Sequence, residues 1–362
     1  MKKKWIAFGL VSALACTAFA GCGKDSGQQP ESAETLQEET DSGETETPAG
    51  DSQEHETVKV TLNEVAHSIF YAPQYVAIEE GYFEEEGIQL DLVNGYGADK
   101  VMAAVISGDA QIGFMGAEAS VYAYLEGAND PVINFAQGTQ RAGNFVVARE
   151  EMPDFEWSDL KGKNILGGRK GGMPEMVFEY ILKQKGLDPE TDMDINQSID
   201  FGSTAAAFSG GQGDFTIEFE PSATALEQEG AGYVVASCGV ESGYVPYTSY
   251  SAKSSYIEEH PDIIQKFTNA LQRGVDYVNS HSAEEIAQVI LPQFPENDLE
   301  TVTTIVNRYL EQDTWKTDLI FEEESFDLLQ DILESAGELE KRADYEGVVT
   351  TEFAEARPGK LI

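Results

Sequence analysis

Val58-Lys59-Val60-Thr61-Leu62, then Tyr71-Ala72-Pro73, then Ile88-Gln89-Leu90-Asp91-Leu92 is the stretch that sets the fold class. Its two outer segments alternate apolar and polar residues, the period of a strand with one buried face. The middle segment opens a helix, with proline tolerated in the first turn. It runs to about Gly81. The same order continues after this unit. Asp99 to Ser107 reads as a helix stopped by Gly108, Ala110 to Met115 as a strand, Ala117 to Leu125 as a helix and Val132 to Gln137 as a strand. Alternating strands and helices imply a mostly parallel sheet with helices on its faces.

The pattern restarts after Trp157. Strands are expected at Lys163 to Gly167, Ile195 to Phe201, Phe215 to Glu218 and Tyr233 to Ser237. Helices are expected at Pro174 to Lys185, Thr204 to Ser209 and Ser222 to Gln228. From His260 onward the chain reads as mostly helical. Ile264, Phe267, Leu271 and Val278 share one face, and Ser282 with Glu285 makes a capping box. Thr301 to Leu310 and Glu324 to Ala336 are further helices.

The expected architecture is therefore α/β and two-lobed. Residues 58–147 with 248–362 form the first lobe and residues 148–247 the second. The helical C-terminal part should pack on the first lobe. Two hinge crossings are expected, near Val146 to Arg149 and near Val245 to Ser251. A cleft between hinged lobes can close, and in open α/β sheets ligands sit beyond the carboxyl ends of the strands.

The N-terminus carries a different signal. Lys2, Lys3 and Lys4 precede an apolar run from Trp5 to Ala20, too short for a stable span. Small residues lead into Cys22, as a lipoprotein signal peptidase requires. Residues 1–21 read as a signal peptide and Cys22 as the acylated residue; Cys16, with bulky Leu14 close before it, suits this less well. An ordinary signal peptide with an incidental cysteine is the plainer alternative. Residues 22–57 form an acidic tether, expected to be disordered for want of apolar surface to bury.

The chain has a formal net charge of −42. Removing the three leader lysines gives −45, and the tether's eleven acids and one lysine account for −10, so about −35 stays on the folded part. That excludes nucleic acid as a partner, since binding it needs basic surface. Only Cys238 falls in the folded part, so no disulfide framework or cysteine-based metal site is expected. The four histidines, His55, His67, His260 and His281, are too scattered for a metal cluster. No cofactor is expected.

Several stretches resemble the importer-associated binding proteins for nitrate, sulfonates, taurine and thiamine pyrimidine precursors. They are His67 to Ala77 with Glu80 to Gly87, Val105 to Gly113, Asp159 to Lys163, Ala206 to Asp214 with Glu220-Pro221, and Val245-Pro246-Tyr247 with the helix from Pro261 to Asn279. The resemblance implies a monomeric solute receptor that serves an ABC importer permease from the outer face of the membrane. It also implies the alternative of a pyrimidine-precursor biosynthetic enzyme, because a fungal relative makes such a pyrimidine. That enzyme type carries a cysteine-rich motif, which is absent after Arg149 here. No catalytic residues are expected.

The strand-end rule nominates ligand contacts. The first lobe offers His67, Ser68, Tyr71, Gly97, Met115, Gly116, Gln137 and Thr139; the second offers Arg169, Gly172, Met173, Glu218 and Glu220. Tyr247 lies on the second crossing. Tyr71 could stack on a flat ring or pack in the core. The loop Gly167 to Pro174 enters a helix, where backbone N–H groups bind anions. Glu220 could receive an amine or complement a helix N-terminus. The ligand is thus a pyrimidine-like nitrogen heterocycle or a sulfonate- or nitrate-type anion. The aromatic loop and the two carboxylates lean towards the heterocycle.

Overall fold

A computed structural model describes residues 57–356. The leader, Cys22 and the tether to Glu56 lie outside the described residues. Ten strands form two sheets of five. They are β1 Val58–Glu64, β2 Ile88–Asn94, β3 Ile112–Met115, β4 Val132–Thr139, β5 Asn144–Ala148, β6 Asn164–Leu166, β7 Asp194–Asn196, β8 Phe215–Phe219, β9 Tyr233–Ser237 and β10 Thr248–Lys253. The first sheet has the order β2-β1-β3-β10-β4 and the second β7-β6-β8-β5-β9.

In each sheet the fourth strand is antiparallel to both neighbours: β10 in the first, β5 in the second. These are the strands that follow a crossing between sheets. β4 ends at Thr139 and β5 starts at Asn144, so the chain enters the second sheet at the edge where parallel strands finish. It returns the same way, from β9 into β10. Both crossings and both sets of carboxyl ends therefore lie along one cleft.

The first crossing is residues 140–143, ahead of the expected Val146 to Arg149. The apolar run Asn144–Ala148 is a buried strand between β8 and β9, so residues 144–147 belong with the second sheet, not with the first lobe. Apolar from Phe145 to Ala148, it lacks the alternation that marks a half-exposed strand. The second crossing ends before Thr248, whose strand already pairs with β3 and β4. The expected strand Ile195 to Phe201 is shorter, ending at Asn196, with a 3-10 turn at Phe201–Ser203.

The long C-terminal helix Pro261–Val278 buries Ile264, Phe267, Leu271 and Val278 together, against the helix Ala72–Glu79. Each such side chain contributes roughly 1.5–3 kcal/mol. The two helices come close enough that a Cβ on Gly274 would collide with the Pro73 carbonyl. The capping box forms: Glu285 N–H donates to Ser282 Oγ at 3.3 Å and Ser282 N–H to Glu285 Oε2 at 2.9 Å. One expectation is corrected here. The helix Glu323–Ser335 packs on the second-lobe helix Met173–Gln184, and Lys183 Nζ donates to the Ser335 carbonyl. The C-terminal helices thus cover both lobes.

Candidate interlobe site

Two aromatic side chains from the first lobe and the second crossing meet at the cleft. Tyr71 sits at the start of the helix that follows β1, its ring centroid 5.2 Å from Phe70 and 4.5 Å from Phe114. Tyr247 lies 5.7 Å from Phe70 on the other side, with its hydroxyl 3.5 Å from Asn144 Oδ1. Both tyrosines are buried. Burial, and then nearby charge that includes Glu118, holds both phenols far above their ordinary range.

Glu118 lies at the centre. It begins the helix Glu118–Leu125, three residues beyond β3, and is 3% exposed. Its Oε2 is buried without a hydrogen-bond partner. The carboxyl fits only because residue 116 is glycine, where a Cβ would strike it. Burial pushes its pKa up to about 7 against the opposing pull of its own N–H, Arg169 and the Met173 N–H. Met173 opens the second-lobe helix, so Glu118 faces across the cleft. Tyr122, one turn along, reaches Met176 Sδ of that helix at 3.5 Å.

The glycine-rich loop is arranged around carboxylates of the chain itself. Gly171 N–H donates to Glu175 Oε2 at 3.1 Å, and Gln197 Nε2 donates to its other oxygen at 2.5 Å. Glu175 is pushed up to about 8 by burial and by Glu179. Gly172 caps the helix in extended backbone without a side-chain bond. Arg169 is half-exposed and stands 3.9 Å from Asp99 of the first lobe, next to Gly97, whose N–H donates to the Val65 carbonyl at 3.1 Å. Arg169 thus meets Asp99 at the rim.

Other expected contacts are engaged with neighbours within the chain. His67 Nδ1 is 2.8 Å from Glu64 Oε1 and Nε2 is 2.9 Å from the Gln293 carbonyl. Both neighbours accept, so the ring donates twice, and Glu64 raises its pKa above the usual histidine value. The Phe294 ring covers it at 4.8 Å. His67 ties the first strand loop to the C-terminal helices. Ser68 Oγ donates to the Glu220 carbonyl at 2.6 Å and accepts the Phe70 N–H at 3.3 Å. Glu220 receives Arg308 Nη1 at 2.6 Å and both Thr224 donors at 2.9 Å, so its carboxylate is already satisfied. Glu218 is buried, accepts Thr216 Oγ1 at 2.6 Å, and is pushed up to about 7 by burial.

Within the first sheet, Thr139 and Thr248 join hydroxyls at 2.7 Å. Gln137 Nε2 donates to the Thr139 carbonyl at 3.0 Å, leaving its Oε1 buried and unpaired. Met115 is buried in a small cluster with Val101 and Val105. Tyr71, Gly116, Met173 and Tyr247 are therefore the nominated residues that converge. Glu118 was passed over, although it stands two residues beyond Gly116. Its position in the first turn of a helix that starts at a strand's carboxyl end was the available signal. Cys238 is buried and free, beside the second crossing.

Among proteins similar to this chain, one of Bacillus subtilis named "Putative binding protein YtlA" is 45% identical over 303 residues, 84% of this chain and 91% of that protein. The 4-amino-5-hydroxymethyl-2-methylpyrimidine phosphate synthase of Aspergillus parasiticus is 24% identical over 65% of this chain and 70% of its own length. The ligand-binding component of an ABC-type import system from Staphylococcus aureus, solved with zinc bound, superposes with a TM-score of 0.68 at 14% identity, covering 83% of this chain and 99% of that one. The fold is thus that of the periplasmic binding proteins. The NMT1/THI5-like family model matches residues 69–285, and the chain belongs to that family.

Proposed function

We propose that the protein is an extracytoplasmic receptor that captures a small organic solute between its lobes and delivers it to an ABC importer permease. The observation that carries this is the convergence of Tyr71, Glu118, Met173 and Tyr247 from both sides of the cleft, with a buried carboxylate oxygen left unpaired. A bound solute would satisfy that atom and bridge the lobes, so closure is favoured when ligand is present. The binding-protein relative at 45% identity and the import-system neighbour support the reading. A nitrogen-containing ring fits aromatic faces beside a carboxylate. A pyrimidine synthase is the weaker reading, since the histidine of the first loop has both nitrogens occupied.

A domain of residues 57–362 should be stabilised by its solute and return it unchanged. A solute held at a hundred times its dissociation constant adds about 2.7 kcal/mol. A screen of pyrimidines, sulfonates and nitrate by melting temperature, followed by mass spectrometry of the recovered solute, checks both parts. Solute converted at a rate proportional to protein concentration would establish an enzyme instead.

We also propose that Cys22 carries the lipid anchor and that the receptor works as a monomer. Its motivation is the small-residue run before Cys22 and the acidic tether after it. Cys22→Ser should move the protein from the membrane fraction to the soluble or secreted one. An unchanged distribution contradicts the anchor.

A further inference from the structure

We propose that Glu118 selects the ligand, and that it selects a cation: a protonated nitrogen seated between Glu118, Tyr71 and Tyr247. This rests on the receptor reading and narrows it to a charge class. The argument starts from the donors that an anionic ligand would need. The second-lobe helix Met173–Gln184 spans twelve residues, and its N-terminus would be the natural anion seat. The chain has filled that seat itself. Gly171 N–H is given to Glu175 at 3.1 Å, and Glu175 and Glu118 place two buried carboxyls at that end. Arg169, the nearest side-chain cation, stands at the rim beside Asp99 and is half-exposed. An incoming sulfonate or nitrate would meet two carboxylates before it met a free donor.

The independent observation is the unpaired Oε2 of Glu118, in a side chain 3% exposed. A buried carboxylate oxygen without a partner is costly. The carboxyl occupies the space that Gly116 leaves open. The buried rings of Tyr71 and Tyr247 lie near this carboxyl, and a cation that reached an aromatic face would be further stabilised. A single protonated nitrogen would resolve all three features: the orphan oxygen, the negative field and the aromatic walls.

The groups that face Glu118 are Arg169 from the loop before the second-lobe helix, Tyr71 and Tyr247 from two further elements, and Tyr122 on its own helix. Burial keeps the tyrosines neutral throughout the neutral range. Glu118 is then the group that titrates near 7 at this point. Cation affinity should fall about tenfold for each pH unit below that value, as the proton competes for the carboxylate.

The test is a melting-temperature and calorimetric panel on residues 57–362, with probes sorted by charge. Benzylamine and histamine, protonated at neutral pH, are the cations; methanesulfonate and nitrate are the anions. The expected result is binding by cationic probes, weakened about 10- to 100-fold in Glu118→Gln. The same loss is expected in Gly116→Ala, where the new Cβ displaces the carboxylate. Both variants should keep the wild-type circular dichroism. Binding of sulfonates or nitrate alone, or equal cation binding by Glu118→Gln, overturns the proposal and leaves the receptor reading standing. A panel in which nothing binds overturns both.

Discussion

Arg308→Ala should lower the stability of the folded domain by about 3–5 kcal/mol, the cost of stranding a buried charge. Arg308 lies on the helix Leu299–Glu311, and its guanidinium reaches two carboxylates of the second lobe. Nη1 is 2.6 Å from Glu220 Oε1 and Nη2 is 2.6 Å from Glu227 Oε2. The Glu220 side chain is 0% exposed and that of Arg308 25%. An exposed pair contributes only about 0–1 kcal/mol, so the burial of Glu220 makes this one matter. Burial already raises the Glu220 pKa, against the lowering pull of Arg308. Once the guanidinium is gone, Glu220 escapes the penalty only by taking up a proton. The loss in Arg308→Ala should therefore be larger at pH 8 than at pH 5. The double variant Arg308→Met with Glu220→Gln should recover much of the stability, because two neutral groups leave no charge buried. Urea midpoints at constant slope measure each step. A loss under 1 kcal/mol at pH 8 would show that Glu220 is reached by water and that the pair is superficial.

That pair also shows where reading from sequence stopped. The alternation of strands and helices was legible, and the elements Thr204–Ser209, Ser222–Gln228 and Tyr233–Ser237 lie where the pattern placed them. Strands β5 and β10 were not legible. Each is the antiparallel strand that follows a crossing; β5, apolar from Phe145 to Ala148, shows no period-two signal, while the alternation of Ser249 to Lys253 overlaps the expected second crossing. The cleft edge was legible as a line of strand ends. Which side chains turn into it was not. Glu220 and His67 stand at strand ends, yet both are consumed by partners far along the chain, Arg308 and Gln293. Such partners, 88 and 226 residues away, leave no local trace. Glu118 escaped for the opposite reason. An acid in the first turn of a helix is ordinary, and only burial distinguishes it.

Glu118→Gln and Glu218→Gln should each stabilise the ligand-free domain at pH 8 and change little at pH 5. The sign follows from linkage. Each carboxyl is raised from 4.5 to about 7 in the folded protein by burial. Between those values the folded state holds a proton that the unfolded state has released. Stability then falls as pH rises, by about 1.4 kcal/mol per unit per group. Over the full window this approaches about 3 kcal/mol for each residue, and above pH 7 the loss is complete. Glutamine keeps the shape and removes the titration, so the variant retains at pH 8 what the wild type loses. At roughly 2–3 °C per kcal/mol for a domain of this size, each variant should melt about 6–9 °C higher at pH 8. Glu80→Gln, on the surface, should change stability by less than about 0.5 kcal/mol at either pH, which separates burial from the general relief of negative charge. Equal melting of Glu118→Gln and wild type at pH 8 would mean that Glu118 is hydrated when the cleft is open. In that case the charge costs nothing until the lobes close. If the stabilisation is seen, the domain carries at Glu118 a burden that one substitution would lift. An ionised carboxylate held at Glu118 at such a cost is accounted for by a ligand whose positive charge reverses the sign.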